Sequence, residues 1–317
     1  MPFCNRYENP CFSFHDNLFF PDIRNEKKIT IRGIYISEGS FSESSIFFRM
    51  SYEAISKLGE GGFGSVWKMK TPKNQPFFKD HPIVALKRIK SPDARDKEEV
   101  EILKKLDHCD IIKYLDSFIC KNSGDLCIVM EYCIYGSLAN LVEKSDFAAT
   151  NSNVSNMILQ IGRALEYVHE KEIIHRDIKP ENILCNMKSE SVSLSFLKLA
   201  DFGVAKVMDQ TYLGRQYART QIGAPIYMSP EALKGERYGT PTDIWSMGVT
   251  ISYVCNQGKP LFSTIEAVKD WPGGKSTLDR NKYHIVIRQL TADMMNPLGK
   301  LRPTAEQIKA KTLFQSF

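Results

Sequence analysis

The hydrophobic pattern changes period once, near residue 134, and that change limits the folds open to this chain. Between Tyr52 and Cys133 the apolar residues come in short, β-branched runs: YEAISKLGEGGFGSVWKMK, PIVALKRI, YLDSFIC and LCIVMEYC. Their length and composition are those of strands. Only DARDKEEVEILKKL interrupts them, with Val100, Leu103 and Leu106 at three-residue steps on one face of an expected helix. Past residue 134 helical spacing dominates. NVSNMILQIGRALEYVHEK carries apolar residues at 157, 158, 161, 164, 165 and 168, with Asn or Ser placed as caps. PTDIWSMGVTISYVCNQG opens at Pro241 and stops at Gly258, and RPTAEQIKAKTLF begins a last helix. The expectation is an α+β chain of two lobes. A small β-rich lobe with one main helix covers about 51–133, and a larger α-helical lobe covers about 134–317. A ligand cleft belongs at their junction.

Residues 1–50 stand apart. They are phenylalanine-rich, broken by Pro10 and Pro21, then serine-rich in SEGSFSESS, and KKITIRGIYI is β-branched enough for a strand. They read as an N-terminal extension that is either docking or partly disordered, its aromatics set against the body or against a partner. The net charge is +5, from 42 Lys and Arg against 37 Asp and Glu, and no basic block concentrates it. Nucleic acid is therefore not an expected partner. No run approaches the roughly 18 apolar residues of a membrane span, and MPFCNRYENPCFSF lacks the basic start of a signal peptide. Eight cysteines without a CxxC pair read as reduced thiols. Cys4, Cys11 and His15 have no obvious fourth partner for a metal. A cytoplasmic location is expected, with the nucleus as the alternative.

Three stretches concentrate the chemistry. LGEGGFGSV sets Gly59, Gly61 and Gly64 at G-x-G-x-x-G spacing, between two strands rather than between a strand and a helix. That context disfavours a dinucleotide site. It leaves a structural hairpin as one reading and bare backbone N–H groups laid over phosphates as the other. Lys87, inside PIVALKRI, either sends its ammonium outward or pairs with Glu99 on the following helix, because a buried ammonium needs a counter-charge. IIHRDIKPENIL brings His175, Arg176, Asp177, Lys179 and Glu181 to the edge of a core between two apolar dipeptides.

Together with ADFG, whose Asp201 lies nineteen residues after Asn182, these stretches resemble the eukaryotic protein kinase family. The resemblance covers residues 52–317, about five-sixths of the chain. It rests on the glycine loop at 59–66, VALK ending at Lys87, HRDIKPEN at 175–182, DFG at 201–203, SPE at 229–231, DIWSMG at 243–248 and RPT at 302–304, in the family's order. It implies a bilobal protein kinase-like fold for residues 51–317. It also implies transfer of the ATP γ-phosphate to Ser or Thr hydroxyls of protein substrates, with ATP and Mg2+ bound. In that reading Asp177 accepts the proton of the substrate hydroxyl and Lys179 neutralises charge on the phosphoryl group. Asn182 and Asp201 offer hard oxygens to Mg2+, and Lys87, held by Glu99, steadies the phosphates. ATP lies against Leu58, Gly59, Glu60, Gly61, Gly62, Phe63, Gly64, Ser65 and Val66 of the glycine loop and against Ala85, Lys87 and Leu184. The adenine edge meets backbone groups of Glu131 and Cys133, and Met130 controls access to the back of the pocket. Leu103, Tyr114, His175 and Phe202 match a stacked column linking the lobes, which makes His175 structural rather than a base.

The resemblance also places an activating phosphosite at Thr220, with Arg176 and Lys206 to grip its phosphate. Thr211, Tyr212 and Tyr217 are lesser candidates. Ala224 stands where the family carries a threonine whose hydroxyl bonds the equivalents of Asp177 and Lys179. The alternative reading is therefore an ATP-binding, pseudokinase-like scaffold with weak catalysis. HCDI at 108–111 replaces the commoner HPNI. Lys179 is of the serine/threonine type, and Val204 leans toward threonine as acceptor. Glu181 is placed to read a basic residue, whereas Ser137 stands where strongly base-seeking kinases often carry an acid. NimA-related, eIF2α-type and Ste20-like subfamilies all fit.

Overall fold

A closed antiparallel barrel forms the first lobe. Its strands are β1 (Thr30–Ile34), β2 (Arg49–Gly61), β3 (Gly64–Lys70), β4 (Ile83–Ile89), β5 (Tyr114–Cys120) and β6 (Leu126–Glu131), in the order β1-β2-β3-β4-β6-β5. The computed structural model describes residues 30–34, 49–61, 64–120, 123–188, 194–207, 225–236 and 238–313. Strand β1, from KKITIRGIYI, sets Thr30 opposite Glu53 on β2 and Ile34 opposite Ile119 on β5. The sheet thus begins upstream of residue 51. Its two otherwise open edges are joined through one strand, which satisfies backbone groups that an edge would leave for another chain. Tyr52, Met69, Val84, Leu86, Phe118 and Val129 fill this lobe's core, with Tyr52 and Phe118 stacked at 5.6 Å. Phe77, from the long β3–β4 connection, packs against them.

The helix of this lobe is α1 (Ala94–Lys104). Asp93 caps it by accepting from the N–H groups of Arg95 and Asp96, while Asp96 accepts from the Asp93 N–H, a reciprocal box that satisfies otherwise orphaned donors. Its buried residues are Glu99, Val100, Ile102 and Leu103. Leu106 is buried too, but it lies past the Lys105 C-cap and not on the helix.

The second lobe carries α2 (Leu138–Glu143), α3 (Asn151–Glu170), β7 (Ile173–Ile174), β8 (Ile183–Lys188), β9 (Leu194–Leu199) and β10 (Lys206–Val207). After these come α4 (Pro230–Leu233), α5 (Pro241–Cys255), α6 (Ile265–Lys269), α7 (Ile285–Met294) and α8 (Ala305–Leu313). The cap of α3 is Thr150, one residue before the run of Asn and Ser side chains, accepting from the Asn153 N–H. Pro241 stands at the start of α5, where its missing N–H costs nothing. That helix ends at Cys255, and Gly258 follows at φ +82°. Every α5 residue from Thr242 to Cys255 is buried, so α5 is the central post of the lobe. No helix among the described residues is long and apolar enough to cross a membrane.

Two small pairings align the loops that matter for chemistry. β10 pairs antiparallel with β7, drawing the chain after Asp201 against the chain before His175. β8 pairs with β9, joining the segment after Asn182 to the segment before Asp201. The Ala200 N–H donates to the Asn182 carbonyl at 2.8 Å.

Candidate active site

Lys87 sits on β4 opposite Val66 on β3 and Ile128 on β6, in the buried middle of the sheet. Its ammonium does not turn outward. It lies 2.7 and 2.9 Å from the two carboxylate oxygens of Glu99 on α1 and 3.0 Å from Asp201 Oδ1. Burial pulls the Lys87 pKa down, but the charges of Asp201 and Glu99 outweigh it and raise it above that of an ordinary lysine. Asp201 goes the other way: burial pushes its carboxyl up, and Lys87 more than offsets that and holds it low. Glu99 is pushed up by burial, with Asp201 adding repulsion against the pull of Lys87. Gly203 closes this trio. A Cβ there would stand 3.2 Å from Asp201 Oδ1, Glu99 Oε2 and Lys87 Nζ alike.

Across from the trio, Lys179 Nζ lies 2.6 Å from Asp177 Oδ2. The Asn182 amide donates to the same oxygen at 2.7 Å and to the Asp177 carbonyl at 2.9 Å. With its NH2 so committed, the Asn182 amide turns its oxygen elsewhere. Asp201 Oδ1 is engaged by Lys87 and the Gly203 N–H, and Oδ2 is not. One amide oxygen and one carboxylate oxygen are the hard donors that Mg2+ selects, so the residues present fit that ion. Arg176 and Asp201 both have positive φ, 70° and 62°, a conformation that costs non-glycine residues energy and clusters at functional loops.

The glycine hairpin pairs Gly59 with Val66, Glu60 with Ser65 and Gly61 with Gly64. At Gly64 (φ +122°) a Cβ would fall 2.1 Å from the Arg88 carbonyl, so only glycine fits. At Gly59 a Cβ would meet nothing within 4 Å, so the fold leaves open space beside bare backbone there. Leu58 is exposed, and Glu60 pairs with Lys57 at the surface. Gly62 and Phe63 lie outside the described residues, as do Thr220 and Ala224. Ala85 and Met130 face each other across β4 and β6. Leu184 packs against the main core, and Cys133 is buried with its thiol pushed up to about 12 by desolvation. The Glu131 side chain pairs with Lys198, 2.8 Å away.

His175 and Phe202 meet edge to face at 4.6 Å, with Leu103 and Tyr114 in the same core. His175 Nε2 lies 3.1 Å from the Ala200 carbonyl, while Nδ1 accepts from the Asp177 N–H at 3.3 Å, so the ring ties the two loops together. A residue to which the sequence reading attached no role anchors them. Asp243 accepts from the His175 N–H (2.9 Å), the Arg176 N–H (2.8 Å) and His169 Nε2 (2.9 Å). Burial alone would push its carboxyl up; the His169 hydrogen bond leads the contacts that hold it low.

The family described as protein kinase domain matches residues 52–314. The chain belongs to the protein kinase family. The chain is 32% identical to a probable serine/threonine-protein kinase nek2 of Dictyostelium discoideum over 271 residues, 81% of this chain and 61% of that protein. It is 31% identical to serine/threonine-protein kinase 1 of Arabidopsis thaliana over 82% of this chain and 30% of the relative. It is 36% identical to serine/threonine-protein kinase TIO of the same plant over 67% of this chain and 15% of the relative. The chain therefore spans under two thirds of the length of these relatives. The bilobal α+β fold is that of a kinase domain, whose family works with ATP and Mg2+.

Proposed function

We propose that this chain is an ATP-dependent serine/threonine protein kinase. The observation that carries the reading is the assembled trio of Lys87, Glu99 and Asp201 facing the cluster of Asp177, Lys179 and Asn182. Phosphoryl transfer asks a protein chiefly to position reactants and to stabilise charge, and these groups suit that task.

In this reading the hairpin from Leu58 to Val66 covers the phosphates and Lys87 steadies them. Ala85 and Leu184 enclose the base, Met130 stands at the rear, and the Glu131 and Cys133 backbone meets its edge. Asp177 orients a Ser or Thr hydroxyl and accepts its proton as the oxygen attacks. Lys179, beside Asp177, offsets the negative charge of the transferring group. Mg2+ held by Asn182 and Asp201 would supply charge neutralisation between phosphate oxygens. Phosphorylation of Thr220, gripped by Arg176 and Lys206, would order the loop that follows Asp201. Residues 51–317 make the kinase domain, and residues 1–50 an extension tied on through β1, its remainder offered to a partner.

Incubating the purified chain with Mg-ATP and a generic protein substrate, then mapping phosphates by mass spectrometry, tests the reading. Phosphoserine or phosphothreonine that is absent with Asp201→Asn supports it. Nucleotide binding without transfer by the unaltered chain would favour the scaffold alternative, and Ala224→Thr would then be the variant to try.

A further inference from the structure

The HCDI segment, in which Cys109 and Asp110 depart from the commoner HPNI, lies beside a cavity of about 610 Å³. The cavity opens between the α1–β5 connection, Glu131, Arg163 of α3 and Lys198 of β9. His108 and Cys109 line it and Asp110 is buried behind them, and the three bring an imidazole nitrogen, a thiol sulfur and a carboxylate oxygen within 4.8 Å of one another. We propose that these three side chains bind a thiophilic divalent cation of the zinc class, with cavity water completing its shell, and that Lys198 couples the site to the nucleotide pocket.

A nitrogen, sulfur and oxygen set is what zinc-class ions select, while Mg2+ and Ca2+ avoid sulfur. The turn that converges the three side chains is built: the Ile111 N–H donates to the His108 carbonyl at 3.0 Å. Asp110 is buried and oriented from behind, with Arg163 Nε on one oxygen at 2.7 Å and Nη2 on the other at 3.0 Å. Two such bonds leave each carboxylate oxygen a further lone pair, and outer hydrogen bonds of this kind commonly orient metal-binding carboxylates. His108 stacks on Tyr167 at 5.1 Å, which sets its ring plane. Its Nδ1 accepts from the Asp110 N–H at 3.1 Å and lies 4.0 Å from Asp110 Oδ2. At the tetrahedral angle, Zn–N and Zn–O bonds of about 2.0–2.2 Å set their atoms roughly 3.3–3.5 Å apart, so the ring and the carboxylate close by about half an ångström on the ion, and Nδ1 gives up the bond it accepts from the Asp110 N–H. Cys109 is exposed and reachable. On binding, its S–H proton leaves to solvent and the sulfur–metal bond replaces it.

The coupling, though not the site, rests on the kinase reading above. Lys198 Nζ bonds the Cys109 carbonyl at 2.9 Å and Glu131 at 2.8 Å, and Glu131 is the residue assigned to the adenine edge. The Leu199 N–H donates to the Asp110 carbonyl at 2.8 Å, two residues before Asp201. A shift of this turn therefore reaches both walls of the nucleotide site.

The test uses the full chain, stripped of metal by a chelator. Zn2+ is titrated by calorimetry, and Co2+ is followed by its thiolate charge-transfer absorption. We expect one Zn2+ bound, with a cobalt–thiolate band that Cys109→Ser abolishes. Affinity for Zn2+ should drop at least tenfold in Cys109→Ser and in His108→Gln, and should be kept in a Cys4→Ser, Cys11→Ser variant. Saturating Zn2+ should shift Mg-ADP affinity at least threefold in the unaltered chain and not in Cys109→Ser. No band, or a band that survives Cys109→Ser and disappears with Cys4 and Cys11, overturns the site. Tight Zn2+ binding with unaltered nucleotide affinity overturns the coupling. Should the chain bind no nucleotide at all, the band and the Zn2+ affinity still decide the site.

Discussion

The Lys87 ammonium lies 3.0 Å from Asp201 Oδ1 although 114 residues separate the two. The same ammonium holds Glu99, so one cation ties β4, α1 and the loop after β9 into a single unit. The position of α1 and the readiness of Asp201 are thereby linked. Neither carboxylate can be moved without leaving charge exposed to its neighbour.

Truncating that cation should cost stability as well as chemistry. Lys87 and Glu99 have side-chain exposures of 8% and 2%, so Lys87→Met strands a buried carboxylate. The expected loss is about 3–5 kcal/mol in urea unfolding. Glu99→Gln should cost less, because Lys87 keeps Asp201 at 3.0 Å, and the double variant should cost less than the sum of the two, because each removes the same contact. Strict additivity would mean that the pair is not coupled.

His175 should give the fold an acid-sensitive component. Burial depresses its pKa below the unfolded value of about 6.5, so the unfolded chain binds the proton first. Its stabilising contribution is complete above that value and falls as pH drops through it, by at most about 1.4 kcal/mol per pH unit for one group. Protonation would also place a second N–H against the Asp177 N–H that Nδ1 now accepts. Unfolding free energies measured between pH 7 and 5 should fall more steeply for the unaltered chain than for His175→Phe. Equal slopes would assign the acid sensitivity to other groups.

Asp243 predicts a separation of binding from turnover. Asp243→Ala removes the acceptor for the His175 and Arg176 N–H groups but touches no residue assigned to the nucleotide. Displacing Asp177 by about 1 Å should lower kcat roughly 100-fold. Mg-ADP affinity, read by calorimetry, should stay within about threefold. Parallel loss of both would mean that the whole lobe is disturbed, and the Asp243→Asn variant, which keeps one acceptor, should then recover affinity.

Arg302 should not tolerate lysine. Its guanidinium meets both oxygens of Glu231 at 2.6 and 2.8 Å and also donates to the Pro241 and Asn296 carbonyls, with the Trp245 ring 5.1 Å away. A single ammonium cannot reproduce that planar fork. Thermal or urea unfolding of Arg302→Lys should show a loss of about 2–4 kcal/mol, from an unpaired, desolvated carboxylate and unbonded carbonyls. A change under 0.5 kcal/mol would show that the fork is dispensable.

Much of the site was legible because its motifs are local. HRDIKPEN fixes Asp177, Lys179 and Asn182 within six residues, and the structure groups them around one carboxylate. Lys87 left two readings open, and only the packing of α1 against the sheet decides for the inward one. Non-local relations were not legible. The pairing of Ile34 with Ile119 joins distant segments through backbone register, which side-chain pattern does not encode. Asp243 stood within a noted motif, yet its role depends on a fold that brings it under His175. Leu106 continued the helical spacing past the helix end, because burial repeats on a core face even where the backbone has turned. Thr150 precedes three Asn and Ser side chains of similar capping ability, and spacing alone does not choose between them.

The most direct test is single-turnover phosphate transfer by the unaltered chain and by Asp177→Asn, with ATP affinity measured on both. The unaltered chain should transfer phosphate to Ser or Thr. Asp177→Asn should bind ATP within about threefold and transfer about 100- to 10,000-fold more slowly, the range for a lost general base. An unaltered chain that binds ATP and transfers nothing, or an Asp177→Asn that transfers at the same rate, would contradict a general-base role for Asp177 in phosphoryl transfer.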